Sequence, residues 1–263
     1  MDPASRWLAG VLLMMAMVAA GCAPADTKPP PIAYEGFDYP AGKKLEGQKG
    51  GTGFAGAWTM GGFGVSDAND LVIGEGSLTY PGIVSSGNRL VCRTINQQGV
   101  VRDFGPLFKP AKGTRYISFL IRPESLPPGF LSAGYPIYYG IILDYGSGNE
   151  LFFSKPGRDH PDQYVMEMRG GALQETTGVE AKIGETALIV IRADFDRGQD
   201  TYTMYVNPGA TEPAKGISRT YFGSGVPRLL IYTQGTFSLD EIRVTERYED
   251  IAPKAAKSPF SFF

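Results

Sequence analysis

From Tyr34 onward the chain is a succession of short β-branched and aromatic runs, each closed by Gly, Pro, Asn or Asp, and none holds the apolar spacing of a long amphipathic helix. That pattern constrains the fold more than any other feature. Runs of this length bury one face each, so they must pair in sheets, and the sheets must pack on one another. The expected class is all-β: a two-sheet antiparallel β-sandwich forming a single domain.

The clearest strands are expected at 115–122 (RYISFLIR), 137–145 (IYYGIILDY), 150–154, 163–169 (QYVMEMR), 187–195 (ALIVIRADF), 200–206 (DTYTMYV), 228–233 and 236–245. Weaker signals lie at 77–80, 89–94 and 37–39. Residues Asp196 to Gln199 include the glycine that a tight hairpin turn needs. In QYVMEMR, Tyr164, Met166 and Met168 share one face and Val165, Glu167 and Arg169 the other, so one side packs and the other is wetter. IYYGIILDY is apolar almost throughout, which suits a central strand covered on both faces or facing a ligand groove. The glycine-rich stretch 50–64 (GGTGFAGAWTMGGFG) carries Phe54, Trp58 and Phe63 and is read as a packed loop.

A hydrophobic content of 43% supplies a core, and 25 basic against 27 acidic residues, with no basic cluster, argue against a nucleic-acid partner. The first residues, MDPASRWLAGVLLMMAMVAAGC, set Arg6 ahead of an apolar run from Trp7 to Ala20 and then small residues and a cysteine. That is the layout of a secretory signal peptide, too short to span a bilayer comfortably. Ala19-Ala20-Gly21-Cys22 resembles the bacterial lipobox, with Ala19 where that motif more often has Leu. Lipidation is therefore expected at Cys22, anchoring an exported protein to a membrane of the cell envelope. The expected organisation is a signal peptide at 1–21, a proline-rich tether at 22–33, the sandwich at 34–250 and a loosely ordered tail at 251–263. With Cys22 acylated, Cys92 has no disulfide partner and is expected to be a buried, inert thiol.

Three segments together suggest a family: YEGFDYPAGKKLEGQKGGTGFAGAW near the start, IVIRADFDRGQDTYTMYVNPGATEP late in the chain, and the closing FSLDEIRV. They resemble, in the same order and from Tyr34 to about Asp250, the concanavalin A-like, laminin G-like domains of exported proteins from environmental bacteria such as planctomycetes and verrucomicrobia. The resemblance implies a jelly roll whose first and last strands lie side by side. It implies little about activity, because this fold hosts lectins, glycosidases, lyases and adhesion modules.

Retaining glycosidases of this fold carry two carboxylates about 5 Å apart. No Glu-x-Asp-x-x-Glu occurs here, Asp240 and Glu241 are adjacent and so point to opposite faces, and His160, the only histidine, sits in a polar loop. No hydrolase, metalloprotease or nucleotide fingerprint is present. Binding has the better case, since aromatic faces stack on sugar rings and planar polar groups hold hydroxyls. The candidate ligand-binding residues are Arg122, Tyr139, Asp144, Phe152, Tyr164, Glu167 and Arg169; alternation puts Tyr138 and Tyr139 on opposite faces, so only one of that pair can line a groove. The resemblance also implies a structural Ca²⁺ joining the terminal strands, with Glu35, Asp38 and Asp240 as its candidate oxygen ligands. The expected function is a lipid-anchored envelope protein whose sandwich serves binding or adhesion, to polysaccharide or another envelope component. The alternatives are a glycan-degrading hydrolase or lyase with a divergent site, and a structural envelope protein without a ligand.

Overall fold

The computed structural model describes residues 29–125, 137–146, 150–155, 160, 162–168, 173–197, 199–221 and 225–254. The strands in chain order are β1 (Ala33–Glu35), β2 (Phe54–Met60), β3 (Leu71–Gly74), β4 (Arg89–Cys92), β5 (Gln98–Phe104), β6 (Lys112–Pro123), β7 (Tyr138–Asp144), β8 (Glu150–Lys155), β9 (Gln163–Met168), β10 (Leu173–Glu180), β11 (Ala187–Asp196), β12 (Asp200–Val206), β13 (Ile217–Tyr221), β14 (Arg228–Gln234) and β15 (Phe237–Thr245). All pairings are antiparallel, in two sheets. The first sheet has the order β13-β12-β11-β6-β15-β4-β3, with β1 on β15; the second has the order β10-β9-β8-β7-β14-β5-β2. Among the described residues no helix is long and apolar enough to cross a membrane.

The core lies between the sheets and is built by strict alternation. Ile117, Phe119 and Ile121 of β6 and Ile189, Ile191 and Ala193 of β11 face Ile141 and Leu143 of β7, Leu151 and Phe153 of β8, and Leu229 and Ile231 of β14. Each such side chain contributes about 1.5–3 kcal/mol by leaving water. Cys92 is buried in the same core as a free thiol, and burial raises its pKa to about 11, so it stays protonated at neutral pH.

The two ends of the domain are zipped together. Ala33, Tyr34 and Glu35 pair with Val244, Arg243 and Ile242, while β4 takes the other half of the same edge of β15 at Phe237, Ser238 and Leu239. The switch between these partners coincides with a bulge after Asp240, where Glu241 adopts a positive φ of 54°. Pairing starts at Ala33, inside the stretch read as tether, and packing continues to Ile251 and Ala252, inside the stretch read as tail.

Two weak strand expectations fail for local reasons. Residues 37–39 do not extend β1, because Phe37 turns to φ 51° and its N–H is taken by the Glu35 carboxylate at 2.9 Å. Residues 77–80 lie over the first sheet and bond to a side chain instead of a strand, Leu78 N–H donating to Asp240 Oδ2 at 2.8 Å. Conversely, Phe54–Met60, read as loop, is strand β2 on the edge of the second sheet. It enters through Gly53 at φ 76°, where a β-carbon would overlap the Ile32 carbonyl oxygen, so only glycine fits.

Candidate functional site

The outer face of the second sheet collects the residues with binding chemistry, and register shows which ones. Three bands cross it. In the first, Asp103 of β5, Arg228 of β14, Asp144 of β7 and Glu150 of β8 are successive cross-strand partners. The next runs through Val101, Leu230, Ile142, Phe152 and Glu167. A third runs through Gly99, Tyr232, Gly140, Ser154 and Val165, with Tyr138 one step further along β7.

The charged band is tied at its centre. Arg228 donates to Asp144 Oδ2 at 2.5 Å, and Gly146 N–H donates to Asp144 Oδ1 at 2.7 Å, while Asp103 is exposed. The middle band is a small apolar cluster of its own, Val101, Ile142, Phe152 and Leu230, with Tyr138 and Tyr232 packed against it. It is closed to solvent: even Phe152 is 9% exposed.

The third band ends in an accessible aromatic ledge. The rings of Tyr138 and Tyr232 stack at 5.4 Å and 20°, both half-buried. Burial, reinforced by Tyr232, raises the pKa of Tyr138, so its phenol stays neutral at neutral pH. The loop after β2 is bound to this ledge: Tyr232 Oη donates to the Phe63 carbonyl at 2.7 Å, and Gln97 Nε2 donates to the same carbonyl at 2.7 Å and to Tyr232 Oη at 2.8 Å. Gly62, at φ 120°, lies so close that a β-carbon would press on the Tyr232 ring. Phe63 is thereby held beside the tyrosines with 69% of its surface exposed. Gly140 is required in the floor, since the Ser154 side chain occupies the space a β-carbon would take.

The expected ligand residues divide. Asp144, Phe152 and Glu167 do share this outer face, Phe152 and Glu167 as direct cross-strand partners. Tyr139 and Tyr164 do not. Both point into the inter-sheet core, each 1% exposed, with hydroxyls that have no hydrogen-bond partner among the described residues, and burial raises both pKa values. Arg122 belongs to the other sheet, where it pairs with Glu124 at 2.7 Å. Arg169 lies outside the described residues. Residues missed by sequence reading are Tyr232, Phe63, Gln97, Asp103, Glu150 and Arg228. Tyr138 was the readable one, because its even separation from Asp144 on one strand puts both on the same face.

The three candidate calcium ligands do not form a site. Glu35 is fully buried and its carboxylate is already filled by protein donors: Phe37 N–H at 2.9 Å, Tyr39 Oη at 2.7 Å, Trp58 Nε1 at 3.1 Å and Arg102 at 2.9 Å. It is a hub joining β1, β2 and β5, and Arg102 also lies 4.9 Å from the Phe54 ring centroid. Asp240 is buried under the 77–80 segment and accepts from Leu78 and Glu241 backbone N–H groups, and Asp38 is exposed. No cluster of three or more metal-binding side chains occurs among the described residues.

No family model matches the chain, and no curated protein matches it. Solved structures do. The endo-1,3-β-glucanase of Streptomyces sioyaensis superposes with a TM-score of 0.51 at 10% identity, over 84% of this chain and 98% of that one. An endo-β-1,4-glucuronan lyase from the fungus Trichoderma reesei gives 0.44 at 11% identity, over 76% and 98%, and lectin II from Ulex europaeus gives 0.35 at 11%, over 62% and 88%. The fold is thus the concanavalin A-like jelly-roll β-sandwich. At this level of identity the likeness defines the architecture, and function rests on the site.

Proposed function

We propose that this is an exported, lipid-anchored protein that binds carbohydrate through the outer face of its second sheet. The observation that carries the binding role is the stacked pair Tyr138 and Tyr232, half-buried on the sheet, with the exposed Phe63 on the loop whose carbonyl is bonded to Tyr232, on the same face as Asp144 and Arg228. Pyranose rings stack their C–H faces on such rings, and planar polar groups fix their hydroxyls. The glucanase that shares the architecture makes sugars a natural ligand class for it, and the sequence Ala19-Ala20-Gly21-Cys22 supports acylation at Cys22.

The test is a glycan array followed by titration with the bound oligosaccharide. Wild type should bind, and Phe63→Ala should weaken binding about ten-fold, in line with about 1–1.5 kcal/mol for one aromatic contact, while the melting temperature stays unchanged. An array without any hit overturns the reading. Mass spectrometry of the membrane fraction, seeking acyl chains on Cys22, decides the anchor separately. The hydrolase alternative keeps one observation, the cross-strand carboxylates Asp144 and Glu150 on the same face. Release of reducing ends from a bound glycan, abolished in Glu150→Gln, would move the protein into that class.

A further inference from the structure

The membrane tether and the tyrosine ledge sit at opposite ends of the sandwich, which limits the glycans the protein can reach. We infer that it binds polysaccharide lying beyond its own membrane and does not engage sugars at the headgroup level of the bilayer that anchors it. This rests on the acylated Cys22 and the glycan-binding face proposed above.

Strand β1 runs antiparallel to β15, with Ala33 opposite Val244 and Ile32 N–H donating to the Val244 carbonyl at 2.7 Å. Traced backwards from Ala33, the chain therefore leaves the sandwich at the end where β15 finishes. Pro29, Pro30 and Pro31 remain at that end, where they share a cleft with Val84, Thr245 and Lys254. The ledge belongs to the other end. Strand β14 finishes at Gln234, the cross-strand partner of Tyr138, and the chain turns through Gly235 and Thr236 into Phe237, the first residue of β15. Tyr138 thus lies level with the start of β15, and Tyr232 two residues further in.

Eight residue steps separate Phe237 from Thr245, or about 26 Å at roughly 3.3 Å per residue. The two tyrosines are therefore about 20–26 Å from the tether's exit along the strands, and they face outwards from the opposite sheet, with about 10 Å between the sheets. Cys22 and Pro29 are seven residue steps apart, a segment that spans at most about 25 Å whatever path it takes. A domain tipped over to press its ledge on the bilayer would have to hold that segment near full extension, at a cost in chain entropy. A domain standing on its tether end makes no such demand and points the ledge away from the lipid.

The experiment reconstitutes the acylated protein into phosphatidylcholine vesicles and titrates it with a free β-1,3-glucan hexasaccharide, or with the hexasaccharide of whichever sugar the array ranks first. One set of vesicles is plain. The other displays, as a lipid headgroup, a trisaccharide of the same sugar that competes when free in solution. The affinities on the two sets should agree, because the headgroup sugar is out of reach. Inserting about twenty Gly/Ser residues after Lys28 should bring it within reach. Tethered partners meet at millimolar effective concentration, so the apparent affinity for the free hexasaccharide should then fall about ten-fold or more on the glycolipid vesicles alone. Competition by the glycolipid with the native tether, or none with the lengthened one, overturns the inference while leaving glycan binding and acylation intact. A free hexasaccharide that fails to bind defeats the binding role, and a Cys22 without acyl chains defeats the anchor; either takes this inference with it.

Discussion

The two outer faces of the sandwich have opposite fates. That of the first sheet is roofed by the chain itself: Leu78 and the segment Tyr248, Ile251 and Ala252 cover Tyr116, Leu120, Leu188, Val190 and Tyr205, forming a second buried core. The roof is fastened by backbone bonds, Leu78 N–H to Asp240 and Lys254 N–H to the Gly82 carbonyl at 2.9 Å, and by an edge-on contact of Tyr116 with Tyr248 at 5.9 Å. That of the second sheet has a closed apolar band of its own but leaves the half-buried Tyr138 and Tyr232 and the exposed Phe63, Asp103 and Arg228 in contact with solvent. A face whose apolar residues are sealed by the protein's own loops serves stability. A face whose rings are held in place yet left accessible retains surface energy for a ligand.

The largest effect expected from this contrast is on the roofed side. Leu120→Ala removes a fully buried side chain between sheet and roof and should destabilise by about 2–5 kcal/mol, measured by chemical denaturation, without changing glycan affinity in the fraction that folds. Phe63→Ala should show the reverse pattern. If both variants lose stability equally, the two faces do the same job and the contrast fails.

How much of this was readable from the chain depends on distance along it. Strand runs with strong alternation, such as Ala187–Asp196 and Asp200–Val206, and the pairing of the first strand with the last, were legible. Strand β2 was not, because the glycine-rich stretch around it carries no periodic signal and its edge position is decided by β5. The site was half legible, and the error was one of parity. Tyr139 lies five residues from Asp144 and Tyr164 three from Glu167, odd separations that put each on the opposite face from its intended companion. Tyr138 was available by the same rule. Tyr232, Arg228 and Phe63 were beyond reach, since only the β14 to β7 register and a loop contact bring them to the ledge. Glu35 shows the same limit: sequence offers a carboxylate, and only packing reveals that four donors have claimed it.

A pH experiment sharpens the contrast further. Asp240, beneath the roof, has its pKa raised to about 8, chiefly by burial and then by neighbouring Glu241, against the lowering effect of its backbone bonds and Arg243. An acid whose folded pKa exceeds its unfolded value near 4 resists ionisation in the native state. Its stabilising contribution is complete below pH about 4 and is lost as pH rises through about 8. Unfolding free energy should therefore fall by on the order of 1 kcal/mol or more between pH 6 and pH 9, and Asp240→Asn should flatten that profile. A wild-type profile that rises over this interval would detach Asp240 from the fastening of the roof.

The smallest effect belongs to Tyr232→Phe, which isolates position from contact on the open face. The ring stack with Tyr138 survives and Gln97 still donates to the Phe63 carbonyl, but the Tyr232 donor to that carbonyl is gone. One partly exposed hydrogen bond is worth about 0.5–1.5 kcal/mol, so stability should change by no more than that, and glycan affinity should fall two- to five-fold, mainly through faster dissociation. A loss equal to that of Phe63→Ala would mean that Phe63 contributes only when its loop is pinned to the tyrosine. An unchanged affinity would mean that the Gln97 bond is enough to hold the loop, and the double substitution with Gln97→Ala should then produce the loss.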